Sequence, residues 1–255
     1  MIVGAAVVPS APVLVPGVSA VLPPPLAALG AAVDLVLRRL LPHDVAVLIA
    51  AAPRGGPHGC YDAATADLAG IGRPDLVVDA TVDRDALGAV TRMTQTPLFR
   101  SDPLPLGAAV LLHHLRRAGD IARPAVPVVP VTVPPAATAD VLVGIGAGIA
   151  SAVEDPSLRA VIVVAGDLSA GLTAPAPLAA VAGARAFDDQ VVDVVASGRL
   201  DGLTRLGPGE ARRVGALGWA PLMVLHGACA RAGTGIAVRT YGAPRGVGYL
   251  VAAGG

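Results

Sequence analysis

Residues 159–172, RAVIVVAGDLSAGL, carry the clearest indication of the fold. Its first half is an unbroken apolar run, and the motif Gly-Asp-Leu-Ser follows at 166–169. An apolar strand without alternation is typical of a parallel strand that helices cover on both faces. Open α/β sheets bind ligands beyond the carboxyl ends of such strands. The stretch therefore predicts a buried strand that delivers Asp167 and Ser169 to a functional edge of a sheet.

The rest of the chain predicts alternating strands and helices around that strand. The apolar runs at 1–8 and 44–52 have the same character, and apolar residues from Leu26 to Leu40 recur at helical intervals. Further predictions are strands over 74–82 and 125–133, a Gly-rich loop over 53–62, helices over 103–120, 138–155 and 206–233, and a C-terminal antiparallel hairpin over 235–252. We expect residues 1–255 to form a single three-layer α/β/α domain with a mainly parallel central sheet.

Composition excludes several function classes. The net charge is zero, and all 19 basic residues are arginines scattered along the chain, a bias typical of a high-GC genome. Without a basic stripe, nucleic-acid binding is not expected. Residues 1–33 carry no charged side chain, but prolines interrupt them too often for a membrane-spanning helix, and no basic residue precedes the apolar run as in a signal peptide. We expect a cytoplasmic protein in which Cys60 and Cys229 are buried free thiols.

Glycines and histidines give weaker signals. Gly144, Gly146 and Gly148 superficially match a dinucleotide fingerprint but lie inside a helical stretch, which favours close helix packing. Adjacent histidines on a helix point about 100° apart, so His113 and His114 are expected to be one buried and one exposed. A helix-ending proline precedes His43, which is expected on the surface, while His226 is expected in the core.

The spacing of apolar residues near residue 190 and the loop at 53–62 give two more expectations. Phe187 and Val191 define the buried face of a helix, from which Asp188 is expected to turn away. His58 and Asp62 share the loop, and with His226 they are the alternative metal-ligand set, although a metal site needs three or four converging ligands.

Five segments in order resemble the LigB-like superfamily of class III extradiol ring-cleavage dioxygenases, which also contains the Memo proteins. They are VVPSAPVLVP at 7–16, GDLSAGL at 166–172, AFDDQVVDVVASGRLDGL at 186–203, GALGWAPLMVLHGA at 215–228 and GVGYLVA at 246–252. The resemblance extends nearly end to end. It implies the same α/β fold and an assembly into homo-oligomers such as dimers.

Catalytic members of that superfamily bind iron(II) through two histidines and one glutamate and use another histidine as acid and base. Carried over residue by residue, the first histidine position is Ser10 and the second falls near Arg54. The acid–base histidine of Gly-Asp-Leu-Ser-His is Ala170, and the glutamate of Gly-Glu-Cys-Gly is Ala216. The resemblance therefore implies a degenerate member without the iron centre, for which no cofactor is expected.

Two readings of the vestigial pocket follow. In the first, the protein binds a small ligand or acts as a regulatory or scaffold protein, and the Arg54 guanidinium pairs with Asp167 in the vacated metal position. Such a pocket could hold a small anion with Ser10 and Ser169 as hydroxyl donors. The candidate ligand-binding residues are Ser10, Arg54, His58, Asp167 and Ser169. In the second, the protein is a dioxygenase or metal-dependent hydrolase with a rearranged site around His58, Asp62 and Asp167.

Overall fold

The computed structural model describes residues 1–100, 103–119, 126–174 and 176–255. Ten strands lie in this part of the chain: β1 (Ile2–Val8), β2 (Val45–Ala51), β3 (Gly59–Tyr61), β4 (Thr65–Leu68), β5 (Arg73–Asp79), β6 (Leu98–Phe99), β7 (Val128–Val133), β8 (Ala160–Ala165), β9 (Ala237–Gly242) and β10 (Tyr249–Gly254). Eight of them form one sheet in the order β6-β3-β7-β2-β8-β1-β10-β9. The fold is a mixed α/β fold, as predicted.

The centre of the sheet is parallel and fully apolar. Strands β7, β2, β8 and β1 run in the same direction, with Ala46 of β2 opposite both Val128 of β7 and Val161 of β8. Every residue of β7 and β8 is buried, as continuous apolar runs require when helices cover both faces. The buried parallel strand predicted from 159–172 is confirmed.

Antiparallel pairs flank the parallel centre of the sheet on both sides, although the outermost pair β3–β6 is itself parallel. Strand β10 pairs with β1, and β9 with β10, which confirms the predicted C-terminal hairpin. At the opposite edge β3 pairs antiparallel with β7, so the predicted loop over 53–62 is wrong at 59–61. The strand expected over 74–82 forms as β5, but it pairs only with β4 in a separate two-stranded sheet.

Seven α-helices lie in the described ranges, with helices on both faces of the sheet. They are α1 (Pro24–Arg39), α2 (Arg84–Thr94), α3 (Leu106–Ala118), α4 (Ala139–Ala152), α5 (Ala184–Ala196), α6 (Pro208–Val214) and α7 (Trp219–Ala232). Helices α1 and α3 pack together, as do α4 and α7. No helix in the described ranges is both long and apolar enough to cross a membrane.

Glycines allow α4 and α7 to pack backbone to backbone. A Cβ placed on Gly146 would lie 1.9 Å from the carbonyl oxygen of Val224, and one on Gly227 would lie 2.0 Å from that of Val143. Gly146 therefore serves helix packing, as predicted, and Gly148 lies against the backbone of Met93 in α2, whereas Gly144 has no neighbour within 4 Å of its Cβ position.

The single long helix predicted over 206–233 is wrong. Gly215 has φ +73°, a left-handed conformation that ends α6, and α7 begins only at Trp219. The break places Ala216 and Leu217 in a turn between the two helices. This turn lies at the carboxyl edge of the sheet, where Gly218 N–H donates to the backbone oxygen of Asp167 at 2.6 Å.

Three expectations about polar burial are also wrong. His113 and His114 are both buried, at 8% and 0% exposure, because α3 lies between the sheet and the β4–β5 pair. His43 is buried too, with Nδ1 3.2 Å from the carbonyl oxygen of Leu40. Asp188 has no exposed surface and faces the interior of the protein. The two cysteines are free and buried, as predicted.

Candidate functional site

Ser10 and Asp167 meet where β1 and β8 end. The two strands are parallel neighbours, and each residue lies two positions beyond its strand, so both reach the same edge of the sheet. The Ser10 backbone N–H donates to Asp167 Oδ2 at 2.9 Å, and the Ser10 hydroxyl donates to the same oxygen. The predicted convergence of these two residues is therefore present, but as an internal pair.

The electrostatics of this pair are set by burial. Loss of water raises the pKa of the Asp167 carboxyl above its ordinary value, and the two bonds from Ser10 act in the opposite direction. Tyr249 lies opposite Asp167 in an isolated β-bridge. Its pKa is raised to about 12, first by burial and then by the nearby Asp167 charge.

Ser169 belongs to a different network, in which Ser169 and Asp188 are fully buried and Tyr241 is partly buried. Its backbone N–H donates to Asp188 Oδ1 at 2.9 Å, and its hydroxyl donates to the same oxygen. The Tyr241 hydroxyl donates to Asp188 Oδ2 at 2.6 Å. These bonds tie the loop after β8 to α5 and β9. Because the Ser169 hydroxyl is used and buried, the prediction that it binds a ligand is wrong.

The positions that the resemblance would assign to metal and acid–base residues lie around this same edge. Ala170 donates its N–H to the Val214 oxygen at 2.8 Å, and its Cβ is 3.0 Å from where a Gly215 Cβ would lie. Ala216 is the next residue, at the break between α6 and α7. Ser10, Ala170 and Ala216 are thus assembled from β1, β8 and the helix break, and none offers a histidine or carboxylate.

A pocket of about 600 Å³ opens beside these residues, at the carboxyl ends of β2 and β7. Its walls come from three segments, the loop after β2, the loop after β7, and the region from α6 to the start of α7. The lining residues are Ala52, Pro53, Arg54, Gly55, Gly56, His58, Pro134, Pro135, Ala136, Ala211, Arg212, Gly215, Ala216 and Leu217. The pocket therefore unites two predicted positions, Arg54 and Ala216, with His58.

Arg54 does not pair with Asp167, and that hypothesis is wrong. A turn closed by a 2.9 Å bond from Gly56 N–H to the Pro53 oxygen places Arg54 at an exposed corner. Asp167 Oδ2 instead accepts both donors of Ser10. In the described ranges Arg54 makes no hydrogen bond or ion pair.

The alternative metal set does not come together either. His58 is exposed in the pocket, whereas Asp62 lies 3.5 Å from Arg100 and 3.9 Å from Arg84. His226 is half-buried on α7, where burial lowers its pKa and Asp201 opposes that effect. Within the part of the chain that the structure describes, no three His, Cys, Asp or Glu residues could share a metal ion.

Sequence reasoning missed Arg212 and Asp188. Arg212 lines the pocket from α6, and its only signal is a position four residues before Ala216 in the segment 206–233. Asp188 left no local signal, because its partners Ser169 and Tyr241 are 19 and 53 residues away along the chain.

Comparison with known proteins finds a similar fold but no family. No family model and no curated protein matches the chain. The fold is similar to the crystal structure of uncharacterized protein JW3007 from Escherichia coli K12, with a TM-score of 0.65 and 15% sequence identity, covering 99% of each chain. At that identity the likeness shows the fold alone.

Proposed function

We propose that this protein is a LigB-like superfamily member without an iron centre, and that it acts as a non-catalytic protein that binds a small ligand. The family assignment is supported by five segments in the superfamily's order, from 7–16 to 246–252. The proposed homo-oligomer is a separate prediction, which the mass of the protein in solution tests.

The residues at the four positions that the resemblance assigns to the iron ligands and the acid–base histidine do not fit iron(II). This ion prefers imidazole nitrogen and carboxylate oxygen. Ala170 and Ala216 provide no donor atom, Arg54 is a permanent cation, and the Ser10 hydroxyl already donates to Asp167. Glu210 supplies no replacement, because it is outside the pocket lining and lies 3.6 Å from Arg213. No chemical step through iron is therefore assigned to this protein.

The observation that carries a binding function is the pocket itself. It is large enough for a small organic molecule, for which pockets of about 300–1,000 Å³ are usual. It also lies where open α/β sheets bind their ligands, beyond the carboxyl ends of parallel strands. A scaffold that lost its metal residues but kept this cavity would retain binding without ring cleavage.

Iron loading and turnover test the proposal together. The purified protein is incubated with iron(II) under argon, desalted, and assayed for bound iron, zinc and copper by mass spectrometry. Oxygen uptake is then followed with catechol as substrate. We expect far less than one metal ion per chain and no oxygen uptake above buffer. Stoichiometric metal, or catechol-dependent oxygen uptake, would refute the proposal.

A further inference from the structure

Two arginines that have no side-chain partner among the described residues line one pocket. We infer that the pocket binds an organic anion, a carboxylate or phosphate attached to an apolar body, through Arg54 and Arg212. The inference rests on the proposed function, since it names the class of ligand for that binding site. It also places the anion at the two arginines and not at Ser10 and Ser169, whose hydroxyl groups donate to Asp167 and Asp188.

The arginines reach the pocket from different elements. Arg54 comes from the turn after β2 and Arg212 from α6, and both residues are exposed. Neither makes an ion pair or side-chain hydrogen bond in the ranges that the structure describes. Arg213, next in sequence, is engaged by the Ala182 carbonyl oxygen and by Glu210. Among the described residues, Arg54 and Arg212 therefore remain free to bind a ligand because of where they lie in the fold, whereas their neighbour Arg213 does not.

Charge in the pocket favours an anion. Its lining residues include two arginines and His58 but no aspartate or glutamate. Two guanidinium groups add their positive potentials inside a concave surface, where solvent screens less than on an open face. Each planar guanidinium can also donate two parallel hydrogen bonds to a carboxylate or phosphate.

The other walls favour an apolar body behind the charged group. Pro53, Pro134, Pro135 and Leu217 present hydrocarbon surface, and Ala216 adds a methyl group at the helix break. A pocket that combines apolar walls with few polar groups selects a ligand that is charged at one end. Inorganic phosphate alone would use the arginines and leave these walls unused.

Calorimetric titration of the full chain tests the inference with benzoate, phenyl phosphate, inorganic phosphate and neutral benzamide. The protein is first treated with a chelator and desalted into a buffer with chloride as its only anion, and iron content is measured on the same sample. We expect benzoate or phenyl phosphate to bind at least tenfold more tightly than benzamide and inorganic phosphate. Binding should weaken between low and high salt.

Charge-removing variants locate the site. Arg54→Gln and Arg212→Gln should each weaken binding by roughly 10- to 100-fold, the usual effect of losing one charge-assisted bond. Arg92→Gln is the matched control, since Arg92 is an exposed arginine of α2 outside the pocket lining, and it should leave affinity unchanged. Circular dichroism checks that each variant is folded.

The outcomes separate this inference from the proposed function. No binding of either organic anion, benzamide binding as tightly as benzoate, or equal losses in the Arg92 and Arg54 variants would overturn the inference, while absent iron and absent turnover leave the proposed function standing. Stoichiometric iron or turnover would refute the proposed function even if the two arginines bind the anion.

Discussion

Replacing Gly146 with alanine should push α4 away from α7. The added Cβ would lie 1.9 Å from the Val224 carbonyl oxygen and 2.8 Å from the Ala228 nitrogen. Carbon and oxygen atoms normally approach to about 3.3 Å, so the helices must separate locally by more than about 1 Å. The obstructing atoms belong to the backbone, so a change of rotamer cannot relieve the contact.

The magnitude follows from two opposing effects. Overpacking a tight interior costs about 1–3 kcal/mol, and contact with backbone favours the upper end of that range. Alanine in a helix gains about 1 kcal/mol over glycine, which offsets part of the loss. We therefore expect Gly146→Ala to lower the free energy of unfolding by about 2 kcal/mol.

Gly144→Ala on the same helix is the matched control. Gly144 is exposed, and a Cβ there has no neighbour within 4 Å, so this variant should be neutral or up to about 1 kcal/mol more stable. Urea denaturation followed by circular dichroism measures both. Equal stability of the two variants would show that the helices are not in backbone contact at Gly146.

Three more substitutions test buried polar groups. Tyr241→Phe removes a hydrogen bond to the buried Asp188 carboxylate and should lower the free energy of unfolding, measured by urea denaturation, by about 1.5–3 kcal/mol. A loss below roughly 0.5 kcal/mol, the usual effect of a surface substitution, would contradict this hydrogen-bond network. Burial lowers the pKa of His114 to about 3, so the stability that this neutral side chain contributes is full above its unfolded pKa near 6.5 and is lost as pH falls toward 3. The variant His114→Leu should therefore lose less stability than wild type between pH 7 and pH 4. An unchanged pH dependence would refute this prediction. Burial raises the pKa of Asp167, so the stability that its protonated carboxyl contributes is full below the unfolded pKa near 3.9 and is lost as pH rises through the higher native-state pKa. The variant Asp167→Asn should therefore gain stability relative to wild type as pH rises from 4 to 8. A stability difference that stays constant over this range would contradict the raised pKa.

The sequence was most informative where one residue's environment depends on its immediate neighbours. The apolar run at 160–165 predicts a covered parallel strand, and the structure contains it as β8. The glycines of α4 predict close helix packing because only hydrogen side chains permit it. Ser10 and Asp167 could be placed together because parallel neighbours end at the same edge of a sheet.

Predictions failed where distant contacts decide the outcome. Strand β3 is only three residues long, too short for periodicity to distinguish it from a loop, and pairing with β7 creates it. Asp188 follows the polar pattern of a helix surface, but Ser169 and Tyr241 satisfy it in the interior. The helical pattern through Gly215 concealed a left-handed residue that ends α6.

The Arg54–Asp167 hypothesis failed for a related reason. A buried carboxylate needs donors, and sequence reasoning assigned it the nearest available cation. The Ser10 backbone N–H and hydroxyl supply those donors, which leaves Arg54 on the pocket wall with Arg212. The carboxyl edge thus separates into an internal Ser10–Asp167 pair and a cationic pocket.

The proposed binding of an organic anion by Arg54 and Arg212 can be observed in a crystal structure of the metal-free protein grown with benzoate. We expect density for the benzoate carboxylate within hydrogen-bonding distance of the Arg54 and Arg212 guanidinium groups, with its ring against Pro134 or Leu217. An empty pocket at saturating benzoate, or density at Ser10 and Asp167 instead, would contradict the account.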